Sequence, residues 1–188
     1  VGMDGAGAAY VGSSSNANLN IMINSVKKVV IDTTGNLLPS TTNAQTLGAP
    51  TLKWANIYGN ATSALYADLA ECYVADFNYE PGTVVEFGGE HEITEAKVNS
   101  RRVAGVISTN PGYLMNSDAK GEHVLPLALT GRVPTKVVGP VSKGDMMVSA
   151  GNGYAMVNHD PAMGTVIGKA LQSLADDVGL IEVVVGRL

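Results

Sequence analysis

Cysteine is almost missing from this chain of 188 residues: Cys72 stands alone. No intrachain disulfide can form, and the fold has to rest on packing. Charge is also scarce. Asp, Glu, Lys and Arg make up 15% of the residues, with a net charge of −5, against about 25% charged residues in an ordinary soluble domain. An acidic surface does not neutralise phosphates, so a general binder of nucleic acid or of anionic membrane is not expected. No stretch approaches the roughly 18 apolar residues of a membrane-spanning helix, so membrane insertion is not expected either. The first residues lack the basic start and apolar run of a signal peptide. Val rather than Met at position 1 points to a fragment or a processed product. What the chain has in plenty is glycine, 22 of 188, or roughly 12% against an average near 7%.

The charge is divided unevenly. Residues 1–62 hold two acids, Asp4 and Asp32, against Lys27, Lys28 and Lys53, whereas residues 63–188 hold the other 15 acids and 9 bases. This shift places a domain boundary near residue 62. Residues 1–17 are mostly Gly, Ala, Ser and Asn, with too few apolar side chains to offset the entropy of ordering a backbone. Leu19, Ile21 and Ile23 then alternate with polar residues, and Val26, Val29, Val30 and Ile31 follow, which predicts two short strands around a turn at Ser25–Lys28. Asp32–Asn36 is the next turn. From Asn36 to Gly59 single apolar residues are spaced among Ser, Thr, Asn and Gly, and a hairpin so poor in apolar contacts is marginal alone in water. Leu37, Leu38, Leu47, Leu52, Trp54, Ile57 and Tyr58 therefore need a partner surface, and identical copies of the chain would supply one.

Beyond residue 63 the pattern changes. Ser63–Val74 reads as a short helix or an extended lead-in strand. The rest predicts strands of four to eight residues broken by Gly, Pro and Asn: Thr83–Phe87, Arg102–Ser108, His123–Thr130, Val133–Val138, Asp145–Ser149, Tyr154–Val157, Val166–Leu171 and Leu180–Gly186. Regular short strands with turn signals indicate an all-β barrel or sandwich. An internal echo accompanies them. "EPGTVVEFGGEHEITEA" followed by "RVAGVIS" aligns with "SKGDMMVSAGNGYAMVN" followed by "TVIGKAL". Gly82 matches Gly144, Val84-Val85 match Met146-Met147, and Gly105 matches Gly168, which predicts two copies of one strand unit.

Candidate chemistry is thin. His91, His123, His159 and Cys72 are too widely spaced for a typical zinc site, and no metal or other cofactor is expected. No G-x-S-x-G elbow occurs. Ser108 and Thr109 precede Asn110-Pro111-Gly112, which explains itself as a turn. Glu71, Asp76, Glu80, Glu86, Glu90, Glu92 and Glu95 could supply the carboxylate pair of a hydrolase, but a solvated surface accounts for them. No catalytic residue is assigned.

The run "VVIDTTGNLLPSTTNAQTLGAPTLKWANIYGNATSALYADLAE" closely resembles the distal part of bacteriophage tail-fibre and related virion appendage proteins. "YEPGTVVEFGG", "RVAGVISTNPGYLMNS", "LALTGRVPTKVVGPVSKGDMMVSAGNGYAM" and "IEVVVGRL" extend the likeness to the end of the chain. The resemblance implies an exposed virion fibre protein: a slender intertwined stalk at 1–62 and a globular β cap at 63–188. Its partners would be two further copies in a homotrimer, other fibre or baseplate proteins, and a host surface glycan or protein. The trimer interface would bury Leu47, Trp54, Ile57 and Tyr58. The longest connections, Gly112–Glu122 and Asn158–Gly164, would present Tyr113, Met115, Asn116, His159 and Asp160 to a receptor. The domain is also similar to self-cleaving chaperone domains of phage appendages, so autoproteolysis, with Ser108 and Asn110 as the first residues to test, and a glycan-degrading fibre enzyme stand as alternatives.

Overall fold

The computed structural model describes residues 2–3, 9–13, 15–60, 63 and 67–186. They contain fifteen strands and no helix: β1 (Gly2–Met3), β2 (Ala9–Tyr10), β3 (Leu19–Ile23), β4 (Val26–Ile31), β5 (Leu37–Pro39), β6 (Asp68–Val74), β7 (Val84–Phe87), β8 (Ile93–Glu95), β9 (Val103–Ile107), β10 (Tyr113–Met115), β11 (Val124–Val138), β12 (Met146–Gly151), β13 (Tyr154–Val157), β14 (Val166–Ala170) and β15 (Val178–Val185). The chain divides into two compact units, Val1–Asn60 and Ala61–Leu188.

In the first unit β3, β4 and β5 form an antiparallel meander. The β3–β4 turn is tighter than the sequence predicts. Asn24 and Ser25 both take positive φ, 51° and 60°, the backbone twist that two-residue hairpins favour. The next turn is held by Asp32, whose carboxylate accepts from the amide and hydroxyl of Thr34 and from the amide and side chain of Asn36. Those donors, Asn36 first, hold the Asp32 carboxyl well below its ordinary range. Among the described residues of this unit whose burial is defined, only Val30 is buried.

In the second unit β6–β15 form one ten-stranded sheet, and it closes on itself. β11 pairs with β15, β15 with β14, β14 with β12, β12 with β13, and β13 returns to β11 in parallel at Val137–Ala155. This is a five-stranded barrel. A second circuit of the same connectivity precedes it. β6 pairs with β11, β11 with β9, β9 with β7, β7 with β8, and a parallel bridge from Ala75 to Ile93 completes the ring.

The internal echo is therefore structural, and it extends to register. Val85 faces Gly105 with a bulge just beyond, and Met147 faces Gly168 with a bulge at the matching place. The Gly82 amide donates to Ile107 and the Gly144 amide to Ala170, both at 2.8 Å. Ala75, Val85, Ile93, Ile107 and Leu127 fill one circuit. The matching Val137, Met147, Ala155, Ala170 and Val183 fill the other. Cross-ties join the two: the Val84 amide donates to Gly153, the Lys136 amide to Gly82 and the Asn99 amide to Ser149.

Two expectations need correction, and one open choice is decided. His123–Thr130 and Val133–Val138 are one strand, β11, because Gly131 forms no turn and lets the strand run on at φ 114°. Of the two readings of Ser63–Val74, residues 68–74 are the extended one, because their alternating burial places Asp68, Ala70 and Cys72 inside. Tyr113 and Met115 lie on a strand, β10, paired in parallel with β6, and not in an open connection.

Two of the matched glycines, Gly105 and Gly168, leave no room for a side chain. A Cβ on Gly105 would land on the Ala128 carbonyl oxygen, and a Cβ on Gly168 on that of Val184. Gly144 has open space and only a positive φ to defend. Gly105→Ala and Gly168→Ala should each cost about 3 kcal/mol or more, and Gly144→Ala about 1 kcal/mol. Urea unfolding of the three variants measures this, and equal costs at all three would refute the close-approach account.

Candidate functional site

The side chains that sequence reasoning put forward fall in separate places. Leu47, Trp54 and Ile57 line one groove of about 370 Å³ in the first unit, and Tyr58 follows them on the same segment. All four are exposed, Trp54 by 62% and Tyr58 by 95%. Trp54 also packs near the turn at Gly48, where the chain folds back through the Ala49–Leu52 bridge. In the second unit Tyr113, Met115 and Asn116 sit on and just after β10, with the Asn116 side-chain Nδ2 donating to the Cys72 carbonyl at 3.0 Å. His159 and Asp160 belong to the β13–β14 connection, shaped by an Asn158 side chain that accepts from the Asp160 amide. The two groups hang on different strand pairings and form no common cluster by hydrogen bonds.

The acidic stretch separates into individual structural roles. Glu86 is fully buried, and its carboxylate accepts from Arg102 at 2.6 Å and from the Lys97 amide at 3.0 Å. Burial pushes the Glu86 carboxyl up, but hydrogen bonds from Ser100 and Lys97 and the Arg102 charge outweigh it and hold it below its ordinary value. The reading of Glu86 as a solvated residue is thereby corrected: it locks the 97–102 connection onto β7. Asp76 accepts from the amides of Glu90 and His91 and lies 3.3 Å from the His91 ring, which pins the β7–β8 turn. The His91 amide is the main reason that the Asp76 carboxyl is held low.

A different constellation was missed by sequence reasoning except at Ser108, Thr109 and Asn110. Ala67, Asp68, Ser108, Thr109, Asn110, Arg132, Pro134 and Glu182 line a cavity of about 410 Å³. β6 begins there, β9 ends there, and β11 and β15 cross it. Asp68 is 7% exposed and Ser108 is 3% exposed. Backbone bonds fix both residues, since the Asp68 carbonyl accepts from Gly112 and the Ser108 amide donates to Pro126. Yet the Asp68 Oδ2 and the Ser108 Oγ make no hydrogen bond among the described residues. Arg132 and Glu182 approach to 3.5 Å at the rim. Among the described residues the lining holds no His or Lys, and its carboxylates are those of Asp68 and Glu182. Among the described residues no group of three His, Cys, Asp or Glu could hold a metal ion.

Comparisons with known proteins bear on the fold. No protein-family model matches the chain, and no curated protein matches it. A solved structure that does match is the crystal structure of the pre-mature bacteriophage phi29 gene product 12, with a TM-score of 0.51 over 85% of this chain at 13% identity. This chain spans about a quarter of that protein, 24% of its length. The likeness supports the all-β barrel architecture.

The Glu86–Arg102 pair gives a pH test. A carboxyl held below its unfolded value adds stability that is complete above the ordinary range near 4.5 and is lost as pH falls through the folded value. Glu86→Gln should lower Tm at neutral pH and shrink the Tm drop on acidification. Arg102→Met should cost about 2 kcal/mol, less than the loss of a fully buried pair, because the guanidinium side chain is 61% exposed. Thermal melts between about pH 7 and pH 3 check both, and an unchanged acid profile for Glu86→Gln would refute the lock.

Proposed function

We propose that this chain is the distal part of a bacteriophage virion appendage, a structural homotrimer whose second unit caps the fibre. The observation that carries the trimer is the bareness of the first unit. Among its residues whose burial is defined it buries one apolar side chain, Val30, while Leu47, Leu52, Trp54, Ile57 and Tyr58 stand in solvent. Sixty residues without a core do not hold a fold alone, and parallel copies of the same segment are the surface that matches it in register. The phage structural neighbour and the resemblance of residues 29–188 to fibre proteins support the virion assignment. Host contact belongs to this reading as well. Tyr113 is exposed on β10, and His159 and Asp160 are exposed beside β14, where aromatic and polar groups can stack on or bond to a surface glycan.

Sedimentation of the full chain should report three copies, and a Tm that falls on dilution. Trp54→Ala should lower the stability of the assembly by about 3–5 kcal/mol when the indole is buried between copies. A folded monomer at micromolar concentration would overturn the proposal. Tyr113→Ala with His159→Ala should weaken binding of the trimer to host cells. Full adsorption by that variant would leave the chain a structural cap. A self-cleaving chaperone is the competing reading, and it requires the intact mass to fall with time after purification.

A further inference from the structure

The cavity between β6, β9, β11 and β15 has an unequal charge balance. Of its three charged side chains, Arg132 and Glu182 offset each other at 3.5 Å. Asp68 is left uncompensated, 93% buried by its 7% exposure, with one carboxylate oxygen that nothing in the described chain satisfies. Ser108 repeats the situation with a hydroxyl that has no partner. Leaving such groups unpaired is costly, most of all for a charge, and native interiors seldom carry two in one place. Both residues border a space far larger than a single water molecule, whose share of volume is about 30 Å³.

We infer that this cavity binds a primary ammonium group on a short alkyl stem. An ammonium has three donors and no acceptor. It neutralises the Asp68 charge, and its donors suit a carboxylate and a hydroxyl; because Asp68 Oδ2 and Ser108 Oγ are themselves enclosed, the proposal requires each side chain to turn into the cavity that both residues line. Ala67 and Pro134 supply apolar wall for the methylenes. A guanidinium is disfavoured because Arg132 already stands at the rim. A phosphate or carboxylate ligand would meet Asp68 as a like charge. The same chemistry has two sources, a lysine side chain from another copy of this chain or an amine from outside, such as an amino sugar or a foreign lysine.

The test uses the full-length protein in its native oligomer, so it stands apart from the sedimentation result. The wild type, Asp68→Asn and Ser108→Ala are titrated with n-butylamine at neutral pH and followed by thermal shift and by NMR. In parallel, lysines are reductively methylated and mapped by mass spectrometry. Circular dichroism confirms that each variant is folded, and Ser108→Ala keeps the test open should Asp68→Asn fail to fold. Saturable binding to the wild type, weakened about tenfold or more in the variants, supports an outside amine. No butylamine binding, together with one lysine protected in the wild type and methylated in the variants, supports a lysine from a second copy. Equal binding by all three proteins, or neither binding nor a protected lysine, overturns the inference.

Discussion

One strand serves two closed circuits, and the rest of the second unit depends on that sharing. Up to Gly131, β11 pairs with β6 and β9; from Gly131 onward it pairs with β15 and β13. Gly131 itself faces Asp68 in one pairing and Val185 in the other. A side chain there would strike the Ala67 carbonyl, so the exchange of partners requires a residue without a Cβ, in a backbone conformation that glycine alone adopts freely. With the exchange in place, a sheet that would otherwise present open edges closes on itself, and closure is what removes unpaired backbone donors from a β protein.

The two circuits share a skeleton and differ in what they carry. Matching positions hold Ala75 and Val137, Val85 and Met147, Ile93 and Ala155, Ile107 and Ala170, Leu127 and Val183. Ala155 and Ala170 stand where the first circuit has isoleucines, and Met147 where it has Val85. Among the described residues the first circuit holds a buried carboxylate, Glu86, paired with a largely exposed Arg102, at a position where the second has Val148. The cavity lined by Asp68, Ser108, Arg132 and Glu182 forms where the circuits part, because β6 ends its pairing there as β15 begins. Chemistry and topology coincide at that point: two strands that diverge leave side chains that neither can satisfy.

The first unit obeys the opposite constraint. Its strands are well formed locally, with an Asn24-Ser25 turn and an Asp32 carboxylate that gathers four donors. These interactions set the path of the backbone but bury almost nothing. Local hydrogen bonding without a core yields a shape whose stability has to come from elsewhere, which is why the assembly of copies carries the functional proposal for this part of the chain.

Alternation of apolar residues and the placement of Gly, Pro and Asn were enough to predict most strands from the sequence, the all-β class and the doubled unit, because each is a local signal with a period of two or a fixed turn chemistry. Matched glycines were legible for the same reason: only a residue without a side chain fits, and its absence of alternatives leaves a mark. Ser108 and Asn110 drew notice through their neighbours in the chain. Their company did not, since Asp68, Arg132 and Glu182 lie up to 114 positions apart in numbering and meet only through pairings across the sheet. Glu86 read as one acid among seven, since burial depends on which face of β7 turns inward. What the amino acids determined alone was local conformation; which polar groups end without partners was decided by closure of the sheet, because a long-range contact has no trace in the residues on either side of it.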